Sequence, residues 1–324
     1  MQLLFETFRY NFYKLDCLLD IEEMKKYIPD YFAYYLLFPK SYKDRGVLCE
    51  DKRLMYRISK GLKINQPHEI FSINNGILFS PISEKIQESE ALVLIKESQS
   101  QKIFVKPTLG VGGKGIYVFN KKDGIFYNKD HDMPLDSSFL KLILPLNYIV
   151  QEGVTQHAEL NQIYPHSLNT FRMVTEIKDN FTVNILFSLL RVGCGGNQID
   201  NASSGGIYVR INKETGLFSS IAYSDQDHTY DEHPDTRFKF KDYVFPMWEE
   251  VISFTKKIAL NFCEIKYIGW DIAFSSNGPV LIEANNGPSI EIIQDVYGGC
   301  QLDFGIHSPK QYWFSDKYHV VTTN

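Results

Sequence analysis

The stretch YIGWDIAFSSNGPVLIEANNGP, residues 267–288, limits the fold more than any other part of the chain. Two strand-like runs flank a Ser-Asn-Gly turn, which reads as a hairpin. Side chains alternate along a strand. Taken with a period of two, Ile268, Trp270, Ile272 and Phe274 share an apolar face with Val280, Ile282 and Ala284. Gly269, Asp271 and Ala273 share the other face with Leu281, Glu283 and Asn285. A two-residue Asn-Gly loop is the common hairpin solution, but it sets Asp271 opposite Ala284 and mixes the faces. A three-residue loop of Ser276, Asn277 and a left-handed Gly278 pairs Phe274 with Val280 and Asp271 with Glu283, and the hydrophobic pattern selects it. Asp271, Glu283 and Asn285 then share one surface. Adjacent carboxylates repel each other unless a cation sits between them. With an amide oxygen they suit Mg2+, which keeps phosphate and water as its remaining ligands. The three are therefore expected metal ligands, with solvated acids on an exposed strand face as the alternative.

The second constraint is IFVKPTLGVGGKGIYVFN, residues 103–120. Gly110, Gly112 and Gly115 match G-x-G-x-x-G, but a dinucleotide fold needs a helix next, and here a strand and a turn follow. A Walker loop needs Lys-Ser/Thr after its second glycine, and Gly115 is followed by Ile116. A kinase phosphate loop is excluded too: Asp303-Phe304-Gly305 stands without an H-R-D before it or an A-P-E after it. Strand, glycine loop, strand leaves two readings. One is a hairpin loop, Gly110, Gly112, Gly113, Lys114 and Gly115, whose N–H groups turn to phosphate oxygens, with Lys106 as a point charge. The other is a mobile surface hairpin.

Between these ends, YIVQEGV is an apolar strand ending at Glu152, Gly153 and Val154, where backbone groups suit an adenine edge. Glu159, seven residues on, suits ribose hydroxyls. Arg172 in NTFRMV and Arg191 at the end of another strand suit bidentate grips on phosphate or carboxylate. QIDNASSGGIYVRI holds Asn201, Ser203, Ser204, Gly205 and Gly206 in a second close-approach loop.

Composition excludes several classes. A formal charge of −5 over 324 residues argues against a nucleic-acid partner. Five scattered cysteines without a CxxC pattern argue against a disulfide framework or zinc site and fit the reduced cytoplasm. The apolar run FAYYLLF is too short for a membrane span, and MQLLFETFRY lacks a signal peptide's pattern. Residues 1–100 read as helix-rich, from DIEEMKKYI and ISEKIQESEALVLIKES, and DYFAYYLLF reads as core. Beyond residue 100 come short strands and one helix, FPMWEEVISFTKKIALNF. The expected class is α+β, mostly antiparallel.

Taken in order, FVKP with GVGGKGI, VQEGV, NTFRMVT, DNASSGGI, GWDIAF and LIEANNGP resemble the ATP-grasp superfamily, most closely its sugar-transfer-associated group. DKRLMYRISKGLKINQP, residues 51–67, resembles the helix near the start of such proteins. The resemblance covers about residues 100–300. It implies a helix-rich region at 1–100, a small lid subdomain at 101–152 and a larger subdomain at 153–324, with ATP between the last two. It also implies that Lys106 and the loop Gly110–Gly115 contact the phosphates, that Glu152 and Val154 read adenine, and that Glu159 holds ribose. By the same resemblance Asp271, Glu283 and Asn285 are expected to hold Mg2+, and Arg172, Arg191 and Asn201 to steady the transferring phosphoryl group. One position departs from the pattern. Several relatives carry an arginine two residues before the first metal aspartate, where this chain has Gly269.

The implied activity is an ADP-forming carboxylate–amine ligase working through an acylphosphate in cell-surface polysaccharide or sugar-conjugate synthesis. Its substrates are a small carboxylate and an amine, with a sugar or sugar nucleotide among the possible partners. A phosphotransferase acting on a non-carboxylate acceptor and a non-catalytic nucleotide-binding scaffold are the alternatives.

Overall fold

The structure, a computed structural model, describes residues 13, 15, 21–110, 112–128 and 130–308. MQLLFETFRY, Cys17 and the tail aromatics Tyr312, Trp313 and Phe314 lie outside the described residues. Two antiparallel sheets organise the rest. The first has eight strands: β1 (Glu69–Asn74), β2 (Ile77–Phe79), β3 (Lys85–Ile86), β4 (Lys102–Pro107), β5 (Tyr117–Lys122), β6 (Ile125–Asn128), β7 (Met133–Pro134) and β8 (Tyr148–Glu152). Their spatial order is β3-β2-β1-β8-β4-β5-β6-β7.

The first hundred residues carry several helices, and they also supply β1, β2 and β3 to this sheet. A boundary at residue 100 therefore does not follow the sheet. The run ISEKIQESEALVLIKES splits: Lys85 and Ile86 pair with β2, and helix α2 (Glu88–Glu97) starts only after a capping box of Gln87 and Glu90. Helix α1 (Lys52–Gly61) starts at Asp51, whose carboxylate accepts from the N–H groups of Arg53 and Leu54.

Strand β4 shows how this sheet is laid out. Ile103 and Val105 are buried with Ala91 and Ile95 of α2 and with Phe139, Leu140 and Ile143 of helix α3 (Ser137–Ile143). Phe104 and Lys106 alternate to the opposite face, which looks into a cleft.

The second sheet contains β9 (Thr170–Ile177), β10 (Val183–Val192), β11 (Ile207–Ile211), β12 (Phe218–Ser224), β13 (Thr229–Tyr230), β14 (Tyr267–Ser275) and β15 (Gly278–Asn285). Its order is β13-β12-β11-β10-β9-β14-β15. One face packs on helix α4 (Trp248–Leu260) through Phe171, Met173, Trp270 and Ile272. The other packs on helix α5 (Ile290–Tyr297) and on Ile28, Ala33 and Phe38 through Val174, Phe187 and Tyr267. DYFAYYLLF is thus core at Ala33 and Phe38, while Tyr35 is exposed. Phe304 of Asp303-Phe304-Gly305 packs on Tyr267, which gives that tripeptide a structural place.

The β14–β15 hairpin departs from the expected register in an instructive way. Asp271 does pair with Glu283, and Gly278 has φ +96°. The loop, however, has two residues: Ser275 pairs with Gly278, and Phe274 with Pro279 rather than Val280. A bulge at Ile282 restores the offset, because Ile272 pairs with Leu281 while Asp271 pairs with Glu283. Leu281 therefore joins the core beside Ile272. Val280, paired with Ala273, takes the face first assigned to Leu281. Period-two reasoning assumed an unbroken strand and placed the extra residue in the turn.

Candidate active site

The cleft between the sheets has two connecting chambers. The inner one is bounded by Phe104 and Lys106 of the first sheet, Met55 of α1, and Leu281 and Ile282 of β15. Glu152 and Val154 stand at its rim. The N–H of Glu152 is taken by the His68 carbonyl and that of Gly153 by the Lys102 carbonyl. The Val154 N–H has no hydrogen-bond partner among the described residues.

Lys106 lines the inner chamber, while Lys52, Arg191, Asp271 and Glu283 line both. Burial pushes the Lys106 ammonium down to about 8, against the opposing pull of Glu283 and Asp200. Glu283 in turn receives Lys52 of α1, at 3.0 Å. The same Lys52 Nζ donates to the Gly110 carbonyl at 2.8 Å, tying helix, glycine loop and β15 together.

Asp271 is the centre of a buried charge cluster. Arg172, its neighbour across β9 and β14, donates Nε to Oδ1 at 2.5 Å and Nη2 to Oδ2 at 3.1 Å. Arg191 donates Nη1 to Oδ2 at 3.0 Å. Burial alone raises a carboxyl, but the two guanidiniums outweigh it and hold Asp271 below its ordinary range. Arg191 also donates to Asn201 and lies 3.5 Å from Asp200, which accepts from Thr170. Arg172, Arg191, Asn201, Asp271, Glu283 and Asn285 are thereby brought to one place.

Gly269 explains itself here. A Cβ at this position would meet Pro288 at 3.1 Å and the Arg172 stem at 3.4 Å. The Arg172 guanidinium reaches Asp271 from the adjacent strand, across the space that this glycine leaves.

The glycine loop covers the outer chamber. Gly110, Gly112, Gly113 and Lys114 line it, together with Arg172, Asn285 and Ser289. Gly115 does not; it packs on Pro107 and Tyr148. Gly113 has φ +75°, and a Cβ there would lie 2.4 Å from Asn201 Nδ2. Glycine at this position thus permits both the turn and the close approach.

Glu159 is the expected site residue that the structure places elsewhere. It sits in the short helix Ala158–Asn161, accepting from Gln162 at 2.6 Å and from Tyr243 at 2.8 Å, and it lines neither chamber. Counting seven residues past Glu152 did not foresee the turn that carries the side chain away. Lys52 and Asp200 are the residues that sequence reading missed. Lys52 had a local signal, a cation directly after a helix-capping aspartate in a segment already set apart by its pattern. Asp200 had none beyond standing next to Asn201.

Comparison with known proteins adds the decisive observation. The model of the family described as sugar-transfer associated ATP-grasp matches residues 37–302. This chain belongs to the sugar-transfer associated ATP-grasp family.

Solved structures similar to this ATP-grasp chain include the ADP complex of purK, N5-carboxyaminoimidazole ribonucleotide synthetase. That match has 8% identity and a TM-score of 0.43, covering 74% of this chain and 45% of that one. D-alanine–D-alanine ligase from Bacillus anthracis matches at 12% identity and a TM-score of 0.41, over 82% of this chain and 70% of that one. VanG D-Ala:D-Ser ligase from Enterococcus faecalis matches at 12% identity and a TM-score of 0.44, over 82% of this chain and 64% of that one. The chain thus spans less than half the length of the first of these. No curated protein matches significantly. Among the described residues no helix is long and apolar enough to cross a membrane.

Proposed function

We propose that the chain binds ATP with Mg2+ between its two sheets. It uses the ATP to join a small carboxylate to an amine in the cytosol, in the making of a cell-surface polysaccharide or sugar conjugate. The sugar context rests on the family description. The observation that carries the reading is the convergence of Lys52, Arg172 and Arg191 with Asp271, Glu283 and Asn285 beneath the glycine loop, with Lys106 in the adjoining chamber. Four cations suit a polyphosphate, and positioned charge is what phosphoryl transfer chiefly requires.

In this reading the lid is the first sheet, residues 69–152, and the larger unit follows it. The inner chamber holds adenine between Phe104, Met55, Leu281 and Ile282, with Val154 N–H on its edge. Lys106 and Lys52 hold phosphates, and Gly110, Gly112, Gly113 and Lys114 cover them. The donor types suit Mg2+, two carboxylates and an amide oxygen being hard ligands, but Arg172 and Arg191 hold both oxygens of Asp271, so Mg2+ would need one of those bonds to open. Bound there, Mg2+ supplies neutralisation of the phosphate charge. Arg172 and Arg191 orient the transferring phosphoryl group, and Asn201 steadies Arg191.

The chemistry then balances simply. A substrate carboxylate oxygen bonds to Pγ as the bond to the bridging oxygen of ADP breaks. The amine lone pair next bonds to the acyl carbon, phosphate leaves, and the amine proton passes to solvent. Hydroxylamine tests this step: a carboxylate screen with ATP is expected to yield a hydroxamate, made by wild type and lost in Arg172→Ala. ADP formed with a stable phosphoester and no hydroxamate points instead to the phosphotransferase.

A further inference from the structure

The three expected metal donors are all engaged from within the chain. Arg172 and Arg191 between them take both oxygens of Asp271. Asn285 turns its Nδ2 to Asp271 Oδ2 at 3.5 Å and to the Gly269 carbonyl at 3.4 Å, so its N–H side faces the aspartate. Lys52 Nζ stands 3.0 Å from Glu283 Oε1. Among the described residues no group of three or more His, Cys, Asp or Glu could hold a metal ion.

Helix α1 keeps this lysine in place. Asp51 caps its first turn, and the Lys52 N–H donates to the Thr108 carbonyl at 2.9 Å. Arg53 Nε donates to Ser72 Oγ at 3.1 Å and Arg57 Nη2 to Glu69 Oε1 at 3.0 Å, which fixes the helix to the first sheet. Met55 of the same helix belongs to the core of the second. Lys52 is thus held between the sheets, with its side chain only 14% exposed. Breaking such a pair from one side alone is costly, because it leaves the other charge unpaired. The wider balance of charge acts the same way. Lys52, Lys106, Arg172 and Arg191 face Asp200, Asp271 and Glu283. Four cations against three carboxylates repel a bare divalent ion and attract a polyphosphate.

Resting on the nucleotide reading above, we propose that Lys52 is an internal counter-ion of the metal site, which admits a divalent cation only together with a polyphosphate. A polyphosphate gives Lys52 and the arginines a competing anion, and Glu283 is then released to the cation. Cation and nucleotide therefore bind with positive coupling, each raising the affinity for the other.

The test uses Mn2+, which takes the same oxygen ligands, and follows its binding to the full chain by water-proton relaxation. Calorimetry on the same samples measures Mg-ADP binding. Wild type is expected to bind Mn2+ weakly without nucleotide and about tenfold or more tighter with ADP. Without nucleotide, Lys52→Met is expected to bind Mn2+ about tenfold or more tighter than wild type, a modest part of what a unit charge at this distance can exert. Lys52→Arg keeps the charge and is expected to stay at the wild-type level. Adding Glu283→Gln to Lys52→Met is expected to remove the gain. A wild type that binds Mg-ADP yet takes up Mn2+ equally with and without ADP overturns this inference alone. So does a Lys52→Met chain without the gain, or a gain that survives Glu283→Gln or appears equally in Lys52→Arg. A wild type that does not bind Mg-ADP removes the nucleotide reading beneath it.

Discussion

Lys106 shows how one side chain can report on the whole site. Its ammonium, held down to about 8 from an ordinary 10.5, sheds its proton before the same lysine in the unfolded chain does. Between those values the unfolded state binds the extra proton, so the free protein gains stability as pH rises through that window. Bound phosphate acts in the opposite sense, because it favours the charged lysine. Mg-ADP affinity is therefore expected to fall from about pH 7 to about pH 9, by at most about tenfold per unit, with one proton taken up on binding. Titration calorimetry in buffers of different ionisation enthalpy reads both effects, and Lys106→Arg flattens them. A wild-type affinity that is level across this range contradicts the assignment. At this scale the sequence brought Lys106, Arg172 and Asp271 to the cleft by their type and strand face. It gave no access to Asp200, whose burial beside Arg191 and Thr170 depends on three separate elements.

The glycine loop and the β14–β15 hairpin carry the argument at the scale of the element. Gly113 is held at φ +75° with Asn201 Nδ2 2.4 Å from where a Cβ would stand. Gly113→Ala adds a strained conformation of about 1–2 kcal/mol and a clash with backing residues. Since the loop covers the outer chamber and is not part of either sheet's core, the cost falls on its position against Asn201. The variant is expected to keep the melting temperature of the free protein within a few degrees and to bind Mg-ADP more weakly. Unchanged nucleotide affinity contradicts the covering role. The hairpin marks the limit of reading faces by period. The Asp271–Glu283 pairing was legible because the hydrophobic pattern demands it. The bulge at Ile282 was not, because one inserted residue in a strand and one in the turn shift the register alike. Glu159 failed for a related reason: spacing along the chain says nothing of how a short helical turn aims a side chain.

At the scale of the molecule, the two sheets have separate cores, one around Phe71, Phe119 and Phe139 and another around Phe171, Trp248 and Trp270. The cleft lies between them, and Lys52 crosses it to reach both the glycine loop and Glu283. Order along the chain revealed this architecture: six short motifs in a fixed sequence pointed to two α+β units about a nucleotide. The membership of β1, β2 and β3 in the first sheet was hidden, because these short strands lie in a helix-rich stretch and pair with β8, far along the chain. The central claim is that the joined cleft is a Mg-nucleotide site. It is tested most directly by thermal unfolding with Mg-ADP, Mg2+ alone and ADP with chelator, for wild type, Lys106→Ala and Glu283→Gln. Ligand at ~100-fold its dissociation constant adds about 2.7 kcal/mol, which raises the midpoint of a chain this size by several degrees. The account predicts that rise for wild type with Mg-ADP, a smaller one without Mg2+, and a reduced one in both variants. A folded wild type whose midpoint does not move, or variants that shift as fully as wild type, contradicts it.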